Sequence, residues 1–336
     1  MHSHRRLLFS ALVVVGLIAA ATATATAKQP SGPPAATPLV TGLASGSGST
    51  VGPGGALYVT EGATGRILRV DPDTGAVTTF ASGLPPILAA VGCCGAVDIV
   101  FLGGTAYVLV TLVGSDVGGN STVGIYRVDG PTSFTVIADI GAFSLNNPPI
   151  PAFDVPTGVQ YALETYRGGF LVTDGHHNRV LGVSLDGEIT EVIAFDNIVP
   201  TGLAIRGNTV YMAQAGPVPH LPENGKVVSF QTQSPTVTEV ASGARLLVDV
   251  EFGRGRTLFA LAQGIFPVGN PEGSPALPNT GSLVQVNADG TFSVVVEGLN
   301  QPTSLELIGN TAYVVTLGGE IWKIENVARP PYGRSH

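Results

Sequence analysis

Cysteine, tryptophan and charge are scarce in this chain of 336 residues. It has two cysteines, one tryptophan and two methionines, and only 12% of its residues are charged. The 16 basic residues, against 24 acidic ones, form no cluster, so the footprint of a nucleic-acid partner is missing. No phosphate-binding loop, HExxH or GxSxG motif is present. The Gly- and Ser-rich stretch 45–55 has no helix pattern after it, so it is not a nucleotide loop. Past the first residues, no apolar run is long enough to span a membrane.

Glycine and proline are plentiful, at 45 and 25 residues. They stand at turns between short apolar runs, as in a chain of many short strands. The clearest unit is 199–231, VPTGLAIRGNTVYMAQAGPVPHLPENGKVVSFQ. It reads as a turn, a strand, a polar turn, a second strand, a long loop and a third strand. The same order recurs six times, and such a period signals a repeat architecture. The aromatic of each second strand marks the copies: Tyr58, Tyr107, Phe170, Tyr211, Phe259 and Tyr313. The third strands RILRVD, GIYRVD, RVLGVS, KVVSFQ, SLVQVN and EIWKIE alternate with the period of two that a strand requires.

Only five copies of the fourth strand follow their own third strand. The missing one resembles Leu39–Leu43, at the other end of the chain. An N-terminal strand that completes the last sheet closes a ring and hides the edges an open array would expose. The predicted fold is therefore all-β: a six-bladed propeller of four-stranded blades over residues 38–327.

Residues 1–27 read as a secretory signal, with His4-Arg5-Arg6, the apolar run Leu7–Ala21 and a small-residue site at Ala25-Thr26-Ala27. The run falls short of the roughly 20 residues of a membrane span. Cleavage removes Arg5 and Arg6 and leaves 14 basic against 24 acidic residues, a net charge of −10. Residues 28–37 are expected as a linker and 328–336 as a tail. Asn120-Ser121-Thr122 is a glycosylation pattern that matters only in a eukaryotic secretory route.

Long insertions fall at 114–122, 215–225 and 264–281, with an irregular link at 143–156. All belong to the two loop classes that share one face of the disc, so they crowd one mouth of the central channel, and function tends to sit on such loops. The residues leading into the innermost strands align as Gly48, Asp98, Gly158, Gly202, Asp249 and Ser304. Blades two and five are opposite, so Asp98 and Asp249 face the channel from two sides. They admit two readings: ligands of Ca²⁺ or another divalent metal, or acceptors for backbone N–H groups.

Glu61 and Asp174 follow the second strands of blades one and three, as ligand contacts or solvated loop carboxylates. His176 and His177 admit three roles: metal ligand, general base, or exposed loop residues. No cysteine or further histidine lies nearby at zinc-ligand spacing. Cys93 and Cys94, flanked by glycines, form a vicinal disulfide or remain two free thiols. Trp322 sits at a strand position that suits packing.

The run LYVTEGATGRILRVDPDTGAVTTFASGL, the PTGLAI turn and the signal-plus-six-blade layout resemble the ScyD/ScyE family of secreted bacterial propellers. The resemblance implies this fold and export, and supplies no catalytic residues. Thr173-Asp174 with Asn178-Arg179-Val180 is similar to the pattern of NHL repeats. The gluconolactonase family uses such a ring with a channel metal held by Glu, Asn and Asp. Here the leading positions are mainly Gly, Thr and Ser, so the Asn ligands are missing. Two functions follow as expectations. The first is a secreted binding or scaffold propeller for a small molecule, glycan or protein, without turnover. The alternative is a divalent-metal hydrolase of lactonase type, with Asp98 and Asp249 as ligands and Glu61 or Asp174 as base.

Overall fold

The computed structural model describes residues 34–328; the expected signal segment and most of the tail lie outside them. Six antiparallel four-stranded sheets form the ring of a β-propeller. Five blades run inside to outside in chain order. The sixth runs from Pro302–Ile308 through Thr311–Thr316 and Ile321–Glu325 to the N-terminal strand Ala36–Val40. That last pairing sets Ala36 against Ile324 and Val40 against Ile321. The ring closes as the repeat predicts, although the closing strand starts two residues inside the segment expected as a linker.

Burial grades outward across each blade. In blade one the second strand, Leu57–Glu61, is buried at every position, while the outermost, Val77–Ser82, is exposed at three of its six positions. A strand covered on both faces reads as a near-continuous apolar run, and an outer strand alternates. Aromatic packing joins neighbouring blades: Tyr58 meets Phe101 of the next blade at 4.6 Å, and Tyr107 meets Phe170 at 4.8 Å.

The innermost strands are Ser49–Val51, Gly95–Leu102, Gln160–Tyr166, Pro200–Arg206, Leu247–Phe252 and Pro302–Ile308. Their inner edges crowd the axis, and a buried backbone group there needs a partner. Side chains provide one at all six junctions. The Thr60 hydroxyl reaches the Val97 carbonyl at 3.4 Å. Asp98 accepts from Leu163 N–H at 2.7 Å. Thr173 donates to the Thr201 carbonyl at 2.6 Å, and Thr201 to the Leu247 carbonyl at 2.9 Å. Asp249 accepts from Leu305 N–H at 2.7 Å, and Ser304 accepts from Ser49 N–H at 3.0 Å. The approach is close enough that a Cβ on Gly48 would stand 2.6 Å from the Asp98 Cα, and one on Gly202 2.5 Å from the Asp249 Cα.

Strand pairing corrects one register. Tyr58, Tyr107, Tyr211, Phe259 and Tyr313 pair with Thr50, Val100, Ala204, Glu251 and Glu306. In blade three the equivalent pair is Leu171 with Glu164, so Phe170 lies one residue off the marker. The equivalent leading residue is Ala162 rather than Gly158. Its N–H donates to Thr173 Oγ1 at 2.9 Å, just as Gly48 N–H donates to Thr60 Oγ1.

Thr201→Val keeps the side-chain shape but strips the hydroxyl from the junction of blades four and five. The variant should be less stable by about 1–3 kcal/mol, the cost of an unmet buried carbonyl. Urea unfolding measures this; an unchanged midpoint and slope would show that the junction holds without the bond.

Candidate functional site

Five carboxyl groups gather on the axis. Asp98 and Asp249 stand at the leading positions of blades two and five, and Glu164, Glu251 and Glu306 two residues along their strands in blades three, five and six. With Ser49, Thr50 and Ser304 they line a cavity of about 40 Å³. That volume suits a water or an ion and is too small for an organic ligand.

Both oxygens of each aspartate hold backbone. Asp98 accepts from Ile99 N–H at 2.9 Å as well as from Leu163, and Asp249 from Val250 N–H at 2.8 Å as well as from Leu305. The N–H-accepting reading therefore describes them, with one change: each spans two blades instead of tying its own turn. Burial pushes the Asp249 carboxyl up to about 7, against the opposing pull of the Leu305 and Val250 N–H groups. Burial raises Asp98 well above the usual carboxylate range, and the field of Asp249 adds to it. Burial raises Glu164, Glu251 and Glu306 as well, and the carboxyls repel one another.

An all-oxygen set of this kind is the chemistry Ca²⁺ prefers. However, among the described residues no three His, Cys, Asp or Glu side chains are placed to hold a metal ion.

Above the cavity, loops of blades three, four and five meet at the mouth. The blade-five insertion crosses to its neighbours: Gln301 Nε2 donates to the Ala276 carbonyl at 2.6 Å, and Ala276 packs with Ala215 and Leu246. His220, from the blade-four insertion, is held by the same unit. Its ring lies edge-on to Phe266 at 5.2 Å, and Nδ1 lies 3.2 Å from the Ala215 carbonyl. A carbonyl only accepts, so Nδ1 carries the proton and the neutral ring leaves Nε2 as an acceptor. Burial lowers the His220 pKa.

From blade three come Tyr161 and His176. A Cβ on Gly175 would strike the Tyr161 ring. Burial, aided by the charges of Glu272 and Asp174, pushes the Tyr161 hydroxyl up to about 12. His176 packs on Phe153 at 5.1 Å, and burial lowers its pKa against the pull of Glu272. His176 Nε2 is buried with no hydrogen-bond partner, and so is Asn300 Oδ1 in the link to blade six, which lies on the same face.

The other residues singled out from sequence have structural partners. Glu61 is fully buried; it accepts Ala44 N–H at 2.8 Å, bonds Thr64 and pairs with Arg66 at 2.5 Å. Asp174, its repeat equivalent, is fully buried and pairs with Arg179 at 3.0 Å, with Gln160 Nε2 donating to its other oxygen at 3.3 Å. Neither is a solvated loop carboxylate, because each sits across a hairpin from its own arginine. His177 is 3% exposed and its Nε2 donates to the Val155 carbonyl; His176 is half-buried. The expectation of exposed loop histidines fails for both, because the 143–156 link folds over them. A short helix, Ile140–Asn146, leads into that link, and Arg179 grips its end through Ser144 Oγ and the Asn147 carbonyl. Cys93 and Cys94 form a vicinal disulfide ahead of the innermost strand of blade two. Trp322 is part of the blade-six core cluster and donates to Glu320 at 2.9 Å.

Comparison with known proteins places the fold. No family model and no curated protein matches the sequence. Solved structures do match by shape. A gluconolactonase from Xanthomonas campestris superposes with a TM-score of 0.62 at 12% identity, over 87% of this chain and 89% of that one. A PQQ-bound aldose sugar dehydrogenase from Streptomyces coelicolor gives 0.57 at 14%, over 87% and 98%. Virginiamycin B lyase from Staphylococcus aureus gives 0.52 at 12%, over 87% and 98%. At such identities the likeness concerns the ring alone.

The raised carboxyls set a pH dependence. The folded chain holds protons that the unfolded chain, with ordinary values near 4, releases. Stability is therefore full below about pH 4 as far as these groups go, and it falls as pH rises through about 7, the folded value of Asp249. The double variant Glu251→Gln/Glu306→Gln should flatten that fall between about pH 5 and 8. Denaturation midpoints across this range test it; a wild-type profile that rises toward pH 8 contradicts it.

Proposed function

We propose that this protein is a secreted binding propeller, related to the ScyD/ScyE type, that holds a ligand at the loop-rich mouth without turning it over. The observation that carries the reading is the division along the axis. The channel is packed with carboxyls around about 40 Å³, while the insertions of blades four and five pack on each other above it. Loops from three blades present side chains there on a rigid ring, the usual arrangement of a binding face. Export fits the signal-like first 27 residues. The ligand class comprises small molecules, glycans and proteins.

Thermal-shift screening of the secreted chain tests this reading. Ligands that stabilise the wild type should lose about tenfold or more in affinity in His176→Ala/Glu272→Ala and keep it in Glu306→Gln. Retention in the mouth variant, with loss in the channel variant, would overturn it.

The alternative is a metal-dependent hydrolase of lactonase type, which draws its support from the five channel carboxyls. It would use the lone pairs of Asp98 and Asp249 that the backbone N–H groups leave free. Elemental mass spectrometry distinguishes the two readings: the binding reading expects no stoichiometric divalent ion. One ion per chain, lost in Asp98→Ala/Asp249→Ala together with turnover of a lactone, would establish the hydrolase.

A further inference from the structure

The rim of the ring carries a groove at the seam between blades five and six. Its volume is about 440 Å³, within the range of sites that take an organic ligand. One wall is the outermost strand of blade five, Phe292–Leu299, through Val295, Val296 and Leu299. The other is Trp322 with Ala36 of the strand that closes blade six. The N–H bond to Glu320 at 2.9 Å holds the Trp322 indole. Glu297 is exposed on the first wall and takes part in none of the ion pairs among the described residues. The groove thus offers an aromatic ring, aliphatic side chains and one carboxylate.

The chain itself runs to this groove. Ala328, its last described residue, packs on the same apolar cluster as Val295, Val296, Trp322 and Ala36, and its N–H donates to Asn310 Oδ1 at 2.9 Å. Arg329-Pro330-Pro331-Tyr332-Gly333-Arg334 follows directly. Adjacent prolines favour the extended polyproline helix, which is ordered before it binds and docks on aromatic-lined grooves. At about 3.1 Å per residue, Tyr332 extends about 12 Å beyond Ala328, a length on the scale of the groove. Arg329 and Arg334 complement Glu297 in charge.

We infer that the groove is the docking site of the chain's own residues 329–334, with the proline pair on Trp322 and an arginine at Glu297. A segment tethered this closely binds at high effective concentration, so modest contacts suffice. Docked there, it straps blade five to the N-terminal strand that closes blade six. Residues 28–33 also end beside the groove, but they run into Pro34 on its wall and would have to fold back along their own strand to enter it.

Trp322 is the only tryptophan, so its fluorescence reports on this groove alone. Two measurements on the full chain test the inference. In Pro330→Ala/Pro331→Ala/Tyr332→Ala, Trp322 emission should shift to longer wavelength and acrylamide should quench it more strongly, while circular dichroism still shows cooperative unfolding. In the second, benzoylphenylalanine replaces Tyr332 and is photolysed, and cross-links should fall within 292–299 or 321–325 of the same chain. Unchanged emission and quenching overturn the inference. So do cross-links confined to other segments, cross-links between two chains, or none. If the triple variant loses its fold, the cross-links decide. Exposure of Trp322 by Pro30→Ala/Pro33→Ala, with no effect of the triple variant, assigns the groove to 28–33 and overturns the inference as well.

Discussion

Six sheets set around one axis press six strand edges together where little water can enter, and their buried backbone groups must still be satisfied. The rest of the ring depends on how this is done. Thr60, Asp98, Thr173, Thr201, Asp249 and Ser304 each pass a hydrogen bond to the next blade, so the ring is closed at its centre by side chains as well as at its rim by the N-terminal strand. Hydroxyls do this without charge. The two aspartates do it as buried acids, and burial holds their protons to higher pH than usual.

That solution shapes what lies above it. Three further carboxyls, Glu164, Glu251 and Glu306, share the axis with the aspartates, and burial together with their mutual field favours protonation over charge. A tightly filled axis is a poor place for an organic ligand and a firm floor for a site above it. The mouth loops are built on this floor and tied to each other. Ala276 is wedged between Ala215 and Leu246, and Arg179 anchors the helix before the 143–156 link from inside blade three. Rigid support with irregular loops above it is the usual arrangement of a functional face.

The six-fold repeat, the ring closure and the crowded face were legible in the sequence, because period-two patterning and turn residues report directly on strands. Asp98 and Asp249 were found by repeat alignment, and the N–H-accepting role weighed for them is the one they fill. Glu164, Glu251 and Glu306 were missed. The signal was there, a glutamate inside each of the runs ALETY, VEF and LEL, but it becomes visible only once each strand is paired with its neighbour. Blade three hid it further, because FLVTDG aligns with LYVTEG through Leu171 and the aromatic Phe170 drew the eye one residue away. The burial of His176 and His177 was not legible either, since it comes from a link that precedes them by some twenty residues and folds back over them.

The ring alone does not decide the chemistry. Solved propellers of similar shape are a gluconolactonase, a lyase and a sugar dehydrogenase, so one architecture serves unrelated reactions and activity is a property of the residues grafted onto it. In this chain Asp98 and Asp249, the two carboxyls weighed as metal ligands, also join blades. Removing Asp98 or Asp249 therefore disturbs the ring before it could reveal any chemistry, and a loss of activity in such a variant would not by itself identify a ligand to a metal. His176 and Glu272 carry no such double duty, whereas His220 ties the blade-four insertion to Phe266 of blade five. Function can be tested at the first two without first breaking the fold.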